Sequence, residues 1–154
     1  MMFSTKAEYG IRVMAHLARA TDGSPGEADP ISLGSIADAE GLPLAYLEHL
    51  VQRLRKAELV ESRRGAHGGY TLARAAEEIS MSEVVAALEG EIAPIECITA
   101  DADGAVVCAR EGEAPCPTKL LWTRVQGSIV RTLNDMTLDD LVQPLRRTEK
   151  TALV

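Results

Sequence analysis

The chain has 154 residues, 46% hydrophobic but only 3% aromatic, with a formal net charge of −7. That length admits one domain with a modest aliphatic core and at most an appended oligomerisation element. No apolar run reaches the roughly 18 residues of a membrane span, and Glu8 and Arg12 interrupt any secretory pattern, so the expectation is a cytoplasmic protein with reduced thiols.

Residues 4–20 place Tyr9, Val13, Leu17 and Ala20 near one stripe, with Met14 beside them. This predicts a helix capped by Ser4 or Thr5. The stretch 21–30 reads as a loop from its Gly, Pro and Asp content. A short helix follows over 32–40, with Leu33, Ile36 and Ala37 turned inward, and Gly41 ends it. Pro43 suits the first turn of the next helix, 43–58, where Leu47, Leu50, Val51 and Leu54 hold the 3.6-residue period. Two such helices joined by a short glycine-containing turn match a helix-turn-helix. Leu59–Val60 and Tyr70–Leu72 then read as two short strands around the glycine-rich tip Arg63–Gly69. A hairpin after a recognition helix is a wing. Ser80 and Glu83 are spaced as a capping box for a helix running to Leu88.

All three cysteines, Cys97, Cys108 and Cys116, fall within the next segment, which has no clear helical period. Three soft ligands on a loop between ordered elements suggest a sensor, although no pair has the close spacing of compact metal signatures. Thr118–Leu133 predicts a long helix with an i, i+4 ladder of Leu121, Val125, Ile129 and Leu133, flanked by Leu120, Trp122 and Val130. Two apolar stripes are more than one small head needs, so one is expected to meet a second copy of the chain. Thr137 opens a last turn of helix with Leu138 and Leu141, and the end is expected to fray. The fold class is therefore mainly α with a small β wing, a winged helix-turn-helix head plus a long dimerisation helix. Its expected divisions are the head at 1–90, a cysteine-bearing sensor loop at 91–117, the dimerisation and C-terminal helices at 118–143, and a flexible tail at 144–154.

Charge is unevenly placed. Between Arg53 and Arg74 lie six basic residues against two acidic ones, and such a patch on an acidic protein can still meet a phosphate backbone. With residues 43–58 in a major groove, Ala45, Tyr46, Glu48 and His49 reach base edges, with Gln52 behind them. Glu48 can accept from a cytosine amino group, Gln52 can pair with adenine, and Ala45 can touch a thymine methyl. Arg55, Lys56 and Arg63 are candidates for phosphate contacts, and Arg64 for a narrow minor groove.

The run YLEHLVQRLRKAELVESRRGAHGGYTLA, Tyr46 to Ala73, together with ISLGSIADAEGLP and the opening STKAEYGIRVMAHLA, resembles the family of winged-helix regulators that includes IscR, NsrR and CymR. The resemblance covers nearly the whole chain. It implies a homodimeric DNA-binding transcription factor on a palindromic double-stranded operator, with the long late helix crossing between subunits. It also implies base reading at Glu48 and minor-groove entry at Arg64. Ala45 stands where the IscR-like pattern has serine, which points to a different operator preference.

The same resemblance implies that Cys97, Cys108 and Cys116 hold an iron–sulfur cluster, with 2Fe-2S preferred to 4Fe-4S. Two features depart from the pattern: the first interval between cysteines is expanded, and Lys119 occupies the position of the fourth ligand. Glu8, supplied by the partner subunit's first helix, is the candidate to complete the shell. The expected function is thus a transcriptional repressor controlled by an iron–sulfur cluster. Its rivals are a metal-free thiol redox switch with the same DNA function and a protein-interaction winged helix without DNA binding. An enzyme using Cys116 with His49 or His67 is disfavoured, because both histidines lie in the proposed DNA-contacting elements.

Overall fold

The computed structural model describes residues 3–20, 28–100, 106–109 and 116–144. The first helix, α1 (Thr5–Ala20), buries Val13, Met14 and Leu17 along the expected stripe. Ala20 is exposed, and the stripe instead runs through Ala7, Gly10 and Ala18. Helix α2 (Leu33–Glu40) starts at Ser32, whose hydroxyl accepts from the Ser35 N–H at 3.1 Å. Gly41 closes it with φ 64°, a left-handed conformation that costs a Cβ-bearing residue energy. The recognition helix α3 (Leu44–Lys56) begins directly after Pro43 and turns Leu47, Leu50, Val51 and Leu54 inward. Those four side chains join Val13, Met14, Leu17, Leu33 and Ile36 in one aliphatic core.

Strands β1 (Val60–Arg63) and β2 (Gly69–Leu72) pair antiparallel, from Val60 opposite Leu72 to Arg63 opposite Gly69. This is the expected wing. Ile31 bridges to it: its N–H donates to Tyr70 O at 3.0 Å, and the Tyr70 N–H returns to Ile31 O at 2.8 Å. A Cβ on Gly69 would lie 2.4 Å from the Ile31 carbonyl carbon and oxygen, so this close approach requires glycine.

A short 3-10 turn (Ala76–Glu78) leads to α4 (Met81–Glu89), which carries the expected reciprocal capping box of Ser80 and Glu83. The predicted loop of cysteines contains a second hairpin, β3 (Ile98–Ala100) with β4 (Val106–Cys108). Each strand is only three residues long, too short for its β-branched residues to establish an alternation against the surrounding Ala, Asp and Gly. Helix α5 (Lys119–Asp135) follows, and α6 covers 138–144. An antiparallel bridge between Ser80 and Thr137 stitches the end of α5 to the start of α4. Its bonds are Met81 N–H to Met136 O and Leu138 N–H to Ile79 O, both 2.8 Å. Leu138 and Val142 of α6 are fully buried in the head core.

The α5 ladder is not covered by its own subunit. Leu120 is 65% and Leu121 55% exposed, while Val125, Ile129 and Leu133 are half-buried. Among the described residues, no helix is long and apolar enough to cross a membrane. The expected tail lies, from residue 145 onward, outside the described residues, as do positions 21–27 of the expected first loop.

Candidate nucleic-acid interface and cysteine hairpin

Burying Leu47, Leu50, Val51 and Leu54 leaves α3 with one outward face. Ala45, Glu48, His49, Gln52 and Lys56 are exposed there and share it by the helical period. Tyr46 is different: it is half-buried, and its ring meets Tyr9 edge to face with centroids 5.7 Å apart. The ring is thus committed to packing α3 on α1. The first turn of α3 also exposes Leu44, 45% accessible beside Ala45.

The six basic residues divide into two groups. Arg53 Nη1 donates to Leu88 O at 3.3 Å, and Arg74 Nη2 donates to Glu83 Oε1 at 2.6 Å while its Nη1 donates to Glu78 O. Both hold α4 to the head. Arg55, Lys56, Arg63 and Arg64 are exposed, the first two at the end of α3 and the others on the wing. Lys6, absent from the sequence-based set, lines a groove with Tyr46, His49, Gln52, Arg53 and Lys56. It stands in the first turn of α1 and belongs to no motif, so only the fold brings it to α3. His67 and Gly68 at the wing tip close a second cleft with Ser32 and Ser35 at the start of α2.

Ion pairs fix these elements from behind. Glu40 at the end of α2 binds His16 Nδ1 at 2.9 Å and Arg12 Nε at 3.1 Å, both on α1. Burial alone would raise the Glu40 carboxyl above its ordinary value, but these hydrogen bonds and charges outweigh it and hold it below. The Glu83 carboxyl is likewise lowered: burial opposes, while Ser80 and Arg74 prevail.

None of the three cysteines is in a disulfide. Cys108 stands opposite Ile98 in the β3–β4 ladder, and both are buried, at 4% and 1% exposure. Cys97 precedes Ile98, and its carbonyl accepts from the Ala109 N–H at 2.9 Å. Cys97 itself lies in the turn just before β3 and is half-buried. Cys116 is half-buried ahead of α5, its Sγ 3.4 Å from Thr118 Oγ1. Lys119, in the position of the expected fourth ligand, is the first residue of α5. Glu8 is exposed on α1, at the rim of an apolar groove with Phe3, Ile11, Val85 and Leu133. Among the described residues, no three His, Cys, Asp or Glu side chains form a group able to hold a metal ion. Thiolate chemistry suits iron and sulfide, but the three thiols as folded are not gathered into one group, and the arrangement does not fit a shared cluster.

The sequence model of the Rrf2 family, described as an iron-dependent transcriptional regulator, matches residues 3–144. The chain is 38% identical over 143 residues to protein rrf2 of Nitratidesulfovibrio vulgaris, covering 93% of this chain and 88% of that protein. Its fold is similar to CymR, the global cysteine regulator of Bacillus subtilis, with TM-score 0.72 and 36% identity, covering 92% of this chain and 96% of the other. It is also similar to the oxidized form of Staphylococcus aureus CymR, with TM-score 0.69 and 38% identity, covering 93% and 97%. The family comprises homodimeric DNA-binding regulators rather than enzymes. The chain belongs to the Rrf2 family of winged-helix transcriptional regulators.

Proposed function

We propose that this chain is a repressor of transcription whose affinity for a palindromic operator is set by oxidation of thiols on the cysteine segment. The observation that carries this reading is that Cys97, Cys108 and Cys116 are not gathered into one metal-holding group among the described residues, with Cys97 and Cys116 half-buried and Cys108 enclosed. Such thiols suit separate redox roles better than joint ligation. Likeness to the cysteine regulator CymR, including an oxidized form, supports it.

The DNA end follows from α3 and the wing. Glu48, Gln52, Ala45 and His49 face the bases, with Tyr46 limited to its hydroxyl edge. Arg55, Lys56 and Arg63 meet phosphates, and Arg64 enters the minor groove. Two heads spaced about one helical turn, ~34 Å, read the two half-sites. In the reduced chain the hairpin packs Cys108 and Ile98 inward. A peroxide reacts with the thiolate of Cys97 or Cys116: a sulfur–oxygen bond forms, the oxygen–oxygen bond breaks, and the leaving oxygen takes a proton to become water or an alcohol. The sulfur is oxidised by two electrons to a sulfenic acid and the peroxide is reduced. The larger, polar group must leave its half-buried site, and the reduced arrangement of the head is lost.

The test traps sulfenic acid after peroxide treatment, locates it by mass spectrometry, and measures binding to a duplex selected by the reduced chain from random sequence. Oxidation at Cys97 or Cys116 should weaken binding about tenfold, with Cys97→Ser or Cys116→Ser removing the response. Oxidised protein that binds like reduced protein would refute the reading. A second reading is favoured by the family's description as iron-dependent: Cys97, Cys108 and Cys116 hold an iron–sulfur cluster after the hairpin rearranges, with Glu8 of the partner subunit as fourth ligand. Anaerobic reconstitution followed by iron and sulfide analysis separates the two.

A further inference from the structure

The end of α4 is where three helices of the head meet the chain leading to the cysteines. Glu89 reaches across to the start of α1, where its Oε1 accepts from Ser4 N–H at 2.8 Å, Ser4 Oγ–H at 2.6 Å and Ala7 N–H at 3.3 Å. Its other oxygen lies 3.4 Å from Lys6 Nζ, and the Glu89 side chain is only 10% exposed. A carboxylate from one helix thus caps another, where the helix dipole favours negative charge. One residue earlier, the Leu88 carbonyl accepts from Arg53 of the recognition helix. The Leu88 side chain is fully buried against Gly10 of α1, where an added Cβ would lie 2.3 Å from its Cδ1.

The chain then leaves through Gly90, at φ 81°, and reaches Cys97 eight positions after Glu89. Along the way, the Ile92 carbonyl accepts from Gln126 Nε2 of α5. The joint between α4, α1 and α3 is therefore close-packed and hydrogen-bonded, with little room to yield when the segment behind it moves.

We propose that the C-terminal end of α4 is the joint through which the cysteine hairpin acts on the recognition helix, with Glu89 and Arg53 as its positioning residues. This rests on the reading that the state of the hairpin sets operator affinity. A displacement of residues 90–97 pulls on Leu88 and Glu89. Glu89 holds that end to α1, and Arg53 passes the shift to α3, whose neighbours Gln52 and Lys56 face the DNA. Arg53 so acts on the operator through helix placement rather than as another phosphate contact.

A double-mutant cycle on operator affinity, with the reduced full-length chain, measures this coupling. Cys108→Ala opens a small cavity on the buried face of the hairpin, and either Glu89→Ala or Arg53→Ala opens the joint. Lys56→Ala is the control: it removes a charge from the same helix without touching α4. The effect of Cys108→Ala on Kd should differ about fivefold between intact and opened joints, and Arg53→Lys should restore it. Combined with Lys56→Ala, the effects should simply multiply. If Glu89→Ala does not fold, Arg53→Ala carries the cycle alone. Effects that multiply within about twofold for the joint variants overturn the proposal. So does a Cys108→Ala chain that binds as wild type. Because every protein in the cycle is reduced, the result stands apart from the peroxide response: a wild type indifferent to peroxide refutes the thiol reading alone.

Discussion

Substituting alanine at two glycines of the head should have opposite effects. At Gly69 the new Cβ would stand 2.4 Å from the carbonyl carbon and oxygen of Ile31, against an ordinary carbon contact of about 3.5 Å. The wing and the Ile31 segment must separate by roughly 1 Å, which breaks the 3.0 and 2.8 Å bonds between Ile31 and Tyr70. Two backbone hydrogen bonds contribute about 1–3 kcal/mol net, and the stiffer unfolded chain offsets about 0.5 kcal/mol. A net loss near 1.5 kcal/mol corresponds to a fall in Tm of about 3–6 °C for a domain this size. At Gly34, inside α2, the same Cβ meets only Ser32 Oγ at 4.0 Å. Alanine there gains up to about 1 kcal/mol of helix propensity. Thermal unfolding followed by circular dichroism reads both. Operator binding should weaken about tenfold for Gly69→Ala, roughly 1.4 kcal/mol, because the wing moves relative to α3, and stay unchanged for Gly34→Ala. Equal Tm values for the two variants would refute the steric argument.

Replacing Arg64 by Ala should cost about 1–3 kcal/mol of operator affinity, read by fluorescence anisotropy across a salt series. Leu121→Asp should shift the chain toward monomer in sedimentation velocity, since its 55% exposed side chain belongs to the α5 face that its own head leaves open. The acid side of the stability profile follows from Glu40, Glu83 and Glu89. Each carboxyl is held below its ordinary value of 4.5 when folded, against the opposing effect of burial. Their stabilisation is therefore complete above pH 4.5 and is lost as pH falls through the folded values. Tm should drop below pH 4.5, and Glu40→Gln should flatten that drop.

Much of the head could be read directly from residue order. Leu47, Leu50, Val51 and Leu54 keep a strict helical period, Gly41 marks the turn, and Ser80 with Glu83 sits at capping-box spacing. Local patterns suffice there because caps and amphipathic faces are local physics. What escaped was set by tertiary partners. Tyr46 has the sequence position of a base reader, yet Tyr9 on another helix captures its ring. Arg53 and Arg74 belong to the basic run, but acceptors on and beside α4 claim them. The β3–β4 hairpin escaped because two three-residue strands give too few alternations to stand out. Its register then buries Cys108 opposite Ile98 while Cys97 stays half-buried in the turn before β3, which spacing alone could not reveal.

In the proposed switch, thiol oxidation alone sets operator affinity. The direct measurement is the Kd of chelator-treated chain, with iron content assayed, before peroxide, after it, and after reduction with a small dithiol. Peroxide should weaken binding about tenfold, roughly 1.4 kcal/mol, and the dithiol should reverse this without added metal. A metal-free chain whose affinity ignores peroxide, but changes on anaerobic loading with iron and sulfide, would contradict the thiol switch.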